Sequence, residues 1–444
     1  MKVKNESYVY ITATVVFAAI CVFAFYPGWM SQDSCTQYYQ ALSGQYCTIT
    51  PVMMSWWWRC LNYVHKGPGL FLLQNQLCYW IGLGLIAWHM HRRIRYWALL
   101  VLLAGFFPPA IVVTAQIWKD VVFTSLAVLS IGMILFLCDL RVKLLWHIVL
   151  VLPLLVLAYG CKPNGLPVVI FLAFVWAFVY AVGISCKLRM LLFCVFSVVI
   201  FAFPSFLTCL LPVVKVPAMQ YMQAHDLLGM GIEKGSLLLP DWMIEKTGIT
   251  VEDAPKMHYA GGNNFFYYST KGGNLTSTDP AEIDALNVKW LTAVISYPQT
   301  YLKVRWQYFE ELIRLGSSVP CFIVQKECFP NEWGITYDLN FISRFLLWTT
   351  SNWTWLYLPW IYLLLSLLMT LSAAFLFRDE LWRLILTVGL CGALFSSPHY
   401  FVGPADDFRY LHFSVVCALI QFAVLMGLVL QNLMSYARRR FVEK

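Results

Sequence analysis

Residues 118–143 read WKDVVFTSLAVLSIGMILFLCDLRVK. From Val121 to Cys138 no residue carries a charge, while Lys119-Asp120 stand at one end and Arg141-Val142-Lys143 at the other. A helix rises about 1.5 Å per residue, so such a run covers most of a hydrocarbon core roughly 30 Å thick. Lipid offers no hydrogen bonds to the backbone, so a spanning run must be helical. Similar runs recur near 8–26, 69–88, 96–115, 143–160, 164–183, 188–212, 352–376, 381–399 and 409–431, making about ten. The third contains Pro108-Pro109, which must kink or end it because neither proline can donate a helical hydrogen bond. The first run is too long for a secretory signal and lacks a small-residue cleavage site before Pro27, so it reads as a span.

Composition agrees. The chain is 60% hydrophobic and 12% charged with a mean hydropathy of +0.66, against roughly 25% charged residues in soluble domains. The net charge of +8 does not point to nucleic acid, because the basic clusters flank apolar runs. Lys2 and Lys4, Arg92-Arg93-Ile94-Arg95, Arg141-Val142-Lys143, Lys187-Leu188-Arg189, Arg378 with Arg383, and Arg438-Arg439-Arg440 share one side if ten spans alternate. Positive loops stay inside, so both termini are expected in the cytoplasm. The expected fold is an all-α polytopic membrane protein. An N-terminal module, 1–212, carries about seven spans and a first outer loop, 27–67. A large, mainly helical outer segment, 213–350, follows, and 351–444 adds about three spans. Within the outer segment, Ala281–Ser296 and Tyr301–Leu315 have helical periodicity, with Trp290, Ile295, Tyr301 and Trp306 available for an apolar face. Gln74, Asn75 and Gln76 intrude into the second span and read as interhelical hydrogen-bonding groups.

Polar groups gather at the outer mouths of spans. Asp33 follows Tyr26-Pro27-Gly28-Trp29 and reads either as a helix cap or as a proton acceptor. Asp120 suits a helix N-terminus by itself, but Lys119 beside it is unexpected on this face. Lys162 opens the turn Lys162-Pro163-Asn164-Gly165, and Arg409 sits in Asp406-Asp407-Phe408-Arg409-Tyr410. Intramembrane-edge ions point to function. A carboxylate such as Asp33 takes a proton from a hydroxyl, and Lys119, Lys162 and Arg409 suit a phosphate. Arg59, after Trp56-Trp57-Trp58, is a further phosphate candidate. The aromatics of this loop can stack on sugar rings, but an interfacial belt is the preferred reading.

Several short motifs lie in this order: Pro27-Gly28 with Ser31–Ser34, Gln40-Ala41, Trp118-Lys119-Asp120, Lys162–Gly165, His225-Asp226-Leu227-Leu228-Gly229, Trp290–Trp306 and Asp407–Tyr410. The layout resembles the GT-C class of membrane glycosyltransferases. In size and topology it is similar to bacterial and phage-type O-antigen (serotype-converting) glucosyltransferases. The resemblance implies a polyprenyl-phosphate hexose donor, a lipid-linked glycan acceptor, inversion at the anomeric carbon, and an active periplasmic face at the bacterial inner membrane. It implies Asp33 as general base and Asp120 as its support or as an acceptor-orienting group. Lys119, Lys162, Arg409 and Arg59 would bind the donor phosphate, with Asp226 and Asn164 at the acceptor. Asp33 lacks the adjacent acidic partner of some members, so no metal or other cofactor is expected. Pathway partners would be a carrier-lipid flippase and a donor-lipid synthase. An O-antigen polymerase shares this topology, and a glycan transporter or flippase is the other alternative; the latter would place its charges at mid-membrane.

Most of the fourteen cysteines sit in apolar spans, where they act as small hydrophobes. Cys35, Cys47, Cys161, Cys321 and Cys328 are placed in loops, and an oxidising outer compartment permits disulfides there. Cys321 and Cys328 are the expected pair. Differential alkylation on intact spheroplasts should label both thiols only after reduction; labelling without reductant would exclude the bond.

Overall fold

The computed structural model describes residues 2–180, 185–262, 276–316, 322–376 and 380–442. These residues are almost wholly helical. In chain order the helices are α1 Lys2–Phe25, α2 Gln32–Ser43, α3 Val52–Asn62, α4 Gly69–Ile94, α5 Leu100–Gly105, α6 Pro108–Ile111, α7 Lys119–Asp139, α8 Leu144–Cys161, α9 Leu166–Val175 and α10 Cys186–Leu210. There follow α11 Met219–Lys234, α12 Asp241–Thr247, α13 Ala254–Met257, α14 Pro280–Ser296, α15 Pro298–Ile313, α16 Phe341–Asn352, α17 Pro359–Leu376, α18 Glu380–Val402 and α19 His412–Val442. Two short strands, β1 Tyr46–Cys47 and β2 Val213–Val214, pair in parallel and tie the first loop to the start of the large segment.

Among the described residues, seven helical stretches are long and apolar enough to cross a membrane, and two shorter apolar helices cover Pro163–Val179 and Pro359–Phe375. The protein is thus an all-α, multi-pass membrane protein. The run at 96–115 is the one that breaks up. Arg95 takes a left-handed φ of 44°, a 3₁₀ stretch covers Arg95–Leu99, and α5 and α6 are separated before Pro108. Proline at the start of α6 has no N–H to lose to a preceding turn, which is why the helix restarts there. The expected eighth span begins later than 352, at Pro359, because α16 already occupies Phe341–Asn352.

α4 and α7 form the centre of the bundle. Their contact is close because glycines meet: a Cβ on Gly82 would lie 2.6 Å from the backbone N of Leu129, and one on Gly132 would lie 2.5 Å from the Gly82 carbonyl. Small residues let helices approach where lipid supplies no hydrophobic drive. Around the bundle Trp57 Nε1 donates to Gln74 Oε1 at 2.6 Å, and Gln76 Nε2 donates to the Thr114 carbonyl and hydroxyl at 3.0 Å. Asn75, equally buried, has neither side-chain polar atom hydrogen-bonded.

The large segment has its own apolar core, in which Leu227, Leu228 and Met230 of α11 meet Leu286 and Ala293 of α14 and Val304 of α15. Trp290 and Tyr301 contribute to it as expected, but Ile295 and Trp306 are exposed. The helical phase of α15 turns Val304, Arg305 and Tyr308 inward instead. Arg305 is fully buried. It donates to the carbonyls of His399, Tyr400 and Gly403 at 2.8–3.3 Å and pairs with Asp226 at 3.2 Å. These bonds fasten the large segment to the end of α18.

Gly82→Val should separate α4 from α7, because the obstructing atoms are backbone and cannot rotate away. Overpacking costs typically 1–3 kcal/mol, and a drop in the detergent-solubilised unfolding midpoint is the expected measurement.

Candidate functional site

The site begins with the turn that leaves α1. Gly28 adopts φ +111°, a conformation side chains resist, and a Cβ there would sit 2.8 Å from Ile117 Cδ1. The turn sends the chain alongside residues 115–117, where Trp29 N–H donates to the Ala115 carbonyl at 2.8 Å and Ile117 N–H to the Trp29 carbonyl at 3.0 Å. Trp118 Nε1 donates to Ser31 Oγ at 2.7 Å, and Ser34 Oγ donates to the Ile117 carbonyl at 2.9 Å. Ser31 caps α2, with Ser34 completing a reciprocal capping box. The cap is therefore Ser31, and Asp33 in the first turn is left over for other work.

Arg409 takes up that carboxylate. Its NH1 lies 2.7 Å from Asp33 Oδ2 and its Nε lies 3.0 Å from Asp407 Oδ2. The guanidinium is also 4.7 Å from the Trp118 ring centre and 5.2 Å from that of Tyr410. Asp33 remains 46% exposed whereas Arg409 is 11% exposed, so the acid faces open space and the base lies behind it. Deeper still, Lys162 Nζ is 2.5 Å from Asp120 Oδ1 and 4.7 Å from the Tyr410 ring centre, with both members of the ion pair buried. The second oxygen of Asp120 has no hydrogen-bond partner.

The open space is a cavity of about 1060 Å³. Asp33, Lys119, Arg409, Asp407 and Trp118 line it together with Tyr221, Tyr259, Asp406, Arg314 and Phe322. Asp406 accepts from the Tyr259 hydroxyl at 2.7 Å and lies 3.0 Å from Arg314 NH2. Among the described residues Lys119 has no hydrogen-bonded or ion-paired partner, although it shares the wall with Asp33. Burial would raise the Asp33 carboxyl, but Arg409 and Lys119 outweigh it and hold the group below the usual carboxylate range. Burial prevails at Asp407 and Asp406, which are pushed up despite Arg409 and Arg314. One guanidinium thus holds two carboxyls of opposite tendency, an arrangement that separates proton-accepting from proton-holding groups.

Asp33, Lys119 and Arg409 therefore meet at one cavity, with Asp120 and Lys162 behind Tyr410. Other candidates lie elsewhere. Arg59 NH1 donates to the Ala41 and Leu42 carbonyls at 3.1 Å, at the C-terminal end of α2, and does not line the cavity. Asp226 is buried against Arg305 and Trp290 Nε1, inside the outer segment. Asn164 belongs to the 3₁₀ turn Pro163–Gly165, also away from the cavity wall. Cys321 lies outside the described residues; Cys328 Sγ is 3.1 Å from the Ile335 carbonyl. Cys35 and Cys161 prove to be helical and buried. No group of three His, Cys, Asp or Glu residues is placed to hold a metal ion among the described residues. Tyr259 and Arg314 escaped sequence reasoning because no motif surrounds either, and only the fold brings them to Asp406.

Removing one member of a buried ion pair strands the other, at about 3–5 kcal/mol. Asp120→Asn and Lys162→Met should each lower stability by that order, and the double variant should recover much of it in thermal unfolding of the purified protein. Comparison of the chain with family models, curated proteins and solved structures returns no match.

Proposed function

We propose that this protein is an inverting membrane glycosyltransferase. It would move a hexose, glucose by the resemblance, from polyprenyl phosphate to a lipid-linked O-antigen or other cell-envelope glycan. The observation that carries the reading is the juxtaposition of a half-exposed Asp33, braced by Arg409, with an unpaired Lys119 on the wall of one cavity. A site with a carboxylate and a cation that forms no direct ion pair suits a neutral hydroxyl nucleophile and an anionic leaving group. Asp33 is ionised at neutral pH because its carboxyl is held low, so it is in the proton-accepting form.

The chemistry balances without a cofactor. The acceptor hydroxyl gives its proton to Asp33 as its oxygen bonds the anomeric carbon from the face opposite the phosphate. The carbon–oxygen bond to phosphate breaks, and the electron pair leaves with polyprenyl phosphate. Lys119 and Arg409 stabilise the charge that accumulates on that phosphate, the term that dominates in many enzymes. Tyr221, Tyr259 and Phe322 offer faces for sugar rings.

Topology supports an outer, periplasmic placement. α7 starts at the cavity with Lys119-Asp120 and ends before Arg141-Val142-Lys143, while α4 ends in Arg92-Arg93. By the positive-inside rule the cavity then faces away from the cytoplasm, and both termini lie inside. Ten crossings at a bacterial inner membrane complete the reading.

Asp33→Asn should lower transfer from a polyprenyl-phosphate hexose by about 10²–10⁴-fold in membrane vesicles, and cells carrying it should make unmodified lipopolysaccharide. Lys119→Ala should lower kcat and kcat/KM together, because the charge it offsets grows as the phosphate leaves. An Asp33→Asn strain whose glycan matches wild type would end this assignment.

A further inference from the structure

The outer segment carries an element that neither the cavity nor the transfer chemistry explains. α16 presents Phe341, Phe345 and Trp348 to the outside, with exposures of 76%, 50% and 47%. Their spacing of four and three residues stacks them on one ridge of a helix that turns about 100° per residue. Ser343, Leu346, Leu347, Thr349 and Thr350 form the opposite, buried face. The Phe345 and Trp348 rings stack at 6.2 Å, and Trp353 meets both edge-on at 5.9 and 5.3 Å. Three large aromatics in mutual contact, with Phe341 exposed on the same ridge, form a surface that water disfavours.

Two attachments fix the depth of this ridge. Asn340 Oδ1 caps α16 by accepting from the Ile342 and Ser343 N–H groups. Its Nδ2 donates in turn to the Phe23 and Ala24 carbonyls at 3.0 and 3.2 Å, in the last turn of the first span. At the other end Thr349 Oγ1 and the Tyr357 hydroxyl are 2.7 Å apart, just before apolar α17 begins at Pro359. Both ends of α16 thus sit where apolar helices leave the membrane. Twelve residues make a helix of about 18 Å, too short to cross and long enough to lie between the two. Phe23 of α1, itself 64% exposed, continues the apolar surface from the span onto the ridge.

We infer that α16 is an in-plane membrane helix whose Phe341–Phe345–Trp348 ridge is seated in the lipid of the outer interface. Amphipathic helices with one aromatic face lie at this depth, and tryptophan is enriched there. The partner is the bilayer itself, because Asn340 ties the ridge to the end of an apolar helix long enough to cross a membrane. The consequence is mechanical. Residues 322–339, which run into α16, include cavity-lining Phe322, Gln325 and Phe329, so the wall of the cavity is moored to the membrane surface. This inference rests on the multi-pass fold and is independent of the glycosyltransferase reading.

Photo-crosslinking of the full-length chain in phospholipid nanodiscs tests it. p-Benzoylphenylalanine is placed singly at Phe345 and Trp348. Phe201, 56% exposed in the middle of α10, serves as the lipid-facing reference, and Glu245, exposed on α12, as the water-facing one. Irradiation should add the mass of one phospholipid at positions 345 and 348 in yields like that at 201, with none at 245. Yields at 345 and 348 as low as at 245, or a crosslinked dimer in their place, would overturn the proposal. At 201, 345 and 348 the probe replaces one exposed aromatic by another and at 245 an exposed glutamate, and size-exclusion elution like wild type verifies folding for each variant.

Discussion

A charge removed from water must find a counter-charge, and the guanidinium of Arg409 is where this protein meets that demand. It bonds Asp33 near the start of the chain and Asp407 two residues before itself, and it rests on the Trp118 ring. Three separated stretches are thereby held to one point: the first outer turn, the entrance of α7 and the entrance of the last span. The backbone pairing of Trp29 with Ala115 and Ile117 sets the distance between the first two. Without Arg409, Asp33 and Asp407 would face each other unscreened across the same wall.

A second buried arginine does the comparable work for the outer segment. Arg305 satisfies three carbonyls at the end of α18, where a helix leaves its last acceptors unpaired, and it neutralises Asp226. The loop beyond α18 then receives Arg314 at Asp406 and the Tyr308 hydroxyl at the Ala405 carbonyl. The same loop supplies Asp407 and leads into Arg409. Packing of the large segment's helices is in this way coupled to the charges that line the cavity.

The charge arrangement also explains why the cavity is chemically asymmetric. Deep charges, Asp120 with Lys162, compensate each other and face no open space. At the wall, Asp33 is held low by Arg409 and Lys119 while Asp407 and Asp406 are pushed up by burial.

Hydrophobic run length and the placement of arginine and lysine are local properties, so the sequence by itself determined the all-α membrane class and most of the apolar helices. It also singled out Asp33, Lys119, Asp120, Lys162 and Arg409, because an ion at a span mouth is anomalous wherever the rest of the chain goes. Partnership is not local. Whether Asp33 caps its helix or faces a cavity depended on Ser31 reaching Trp118 and Ser34. Arg59 looked like a ligand until its guanidinium met the end of α2, and Asp226 until Arg305 met it inside the outer core. The breaks at Arg95 and Pro108, the phase of α15 and the aromatic ridge of α16 needed the packed structure too. Each depends on which neighbour covers which face, and contacts between residues hundreds of positions apart leave no periodicity to read.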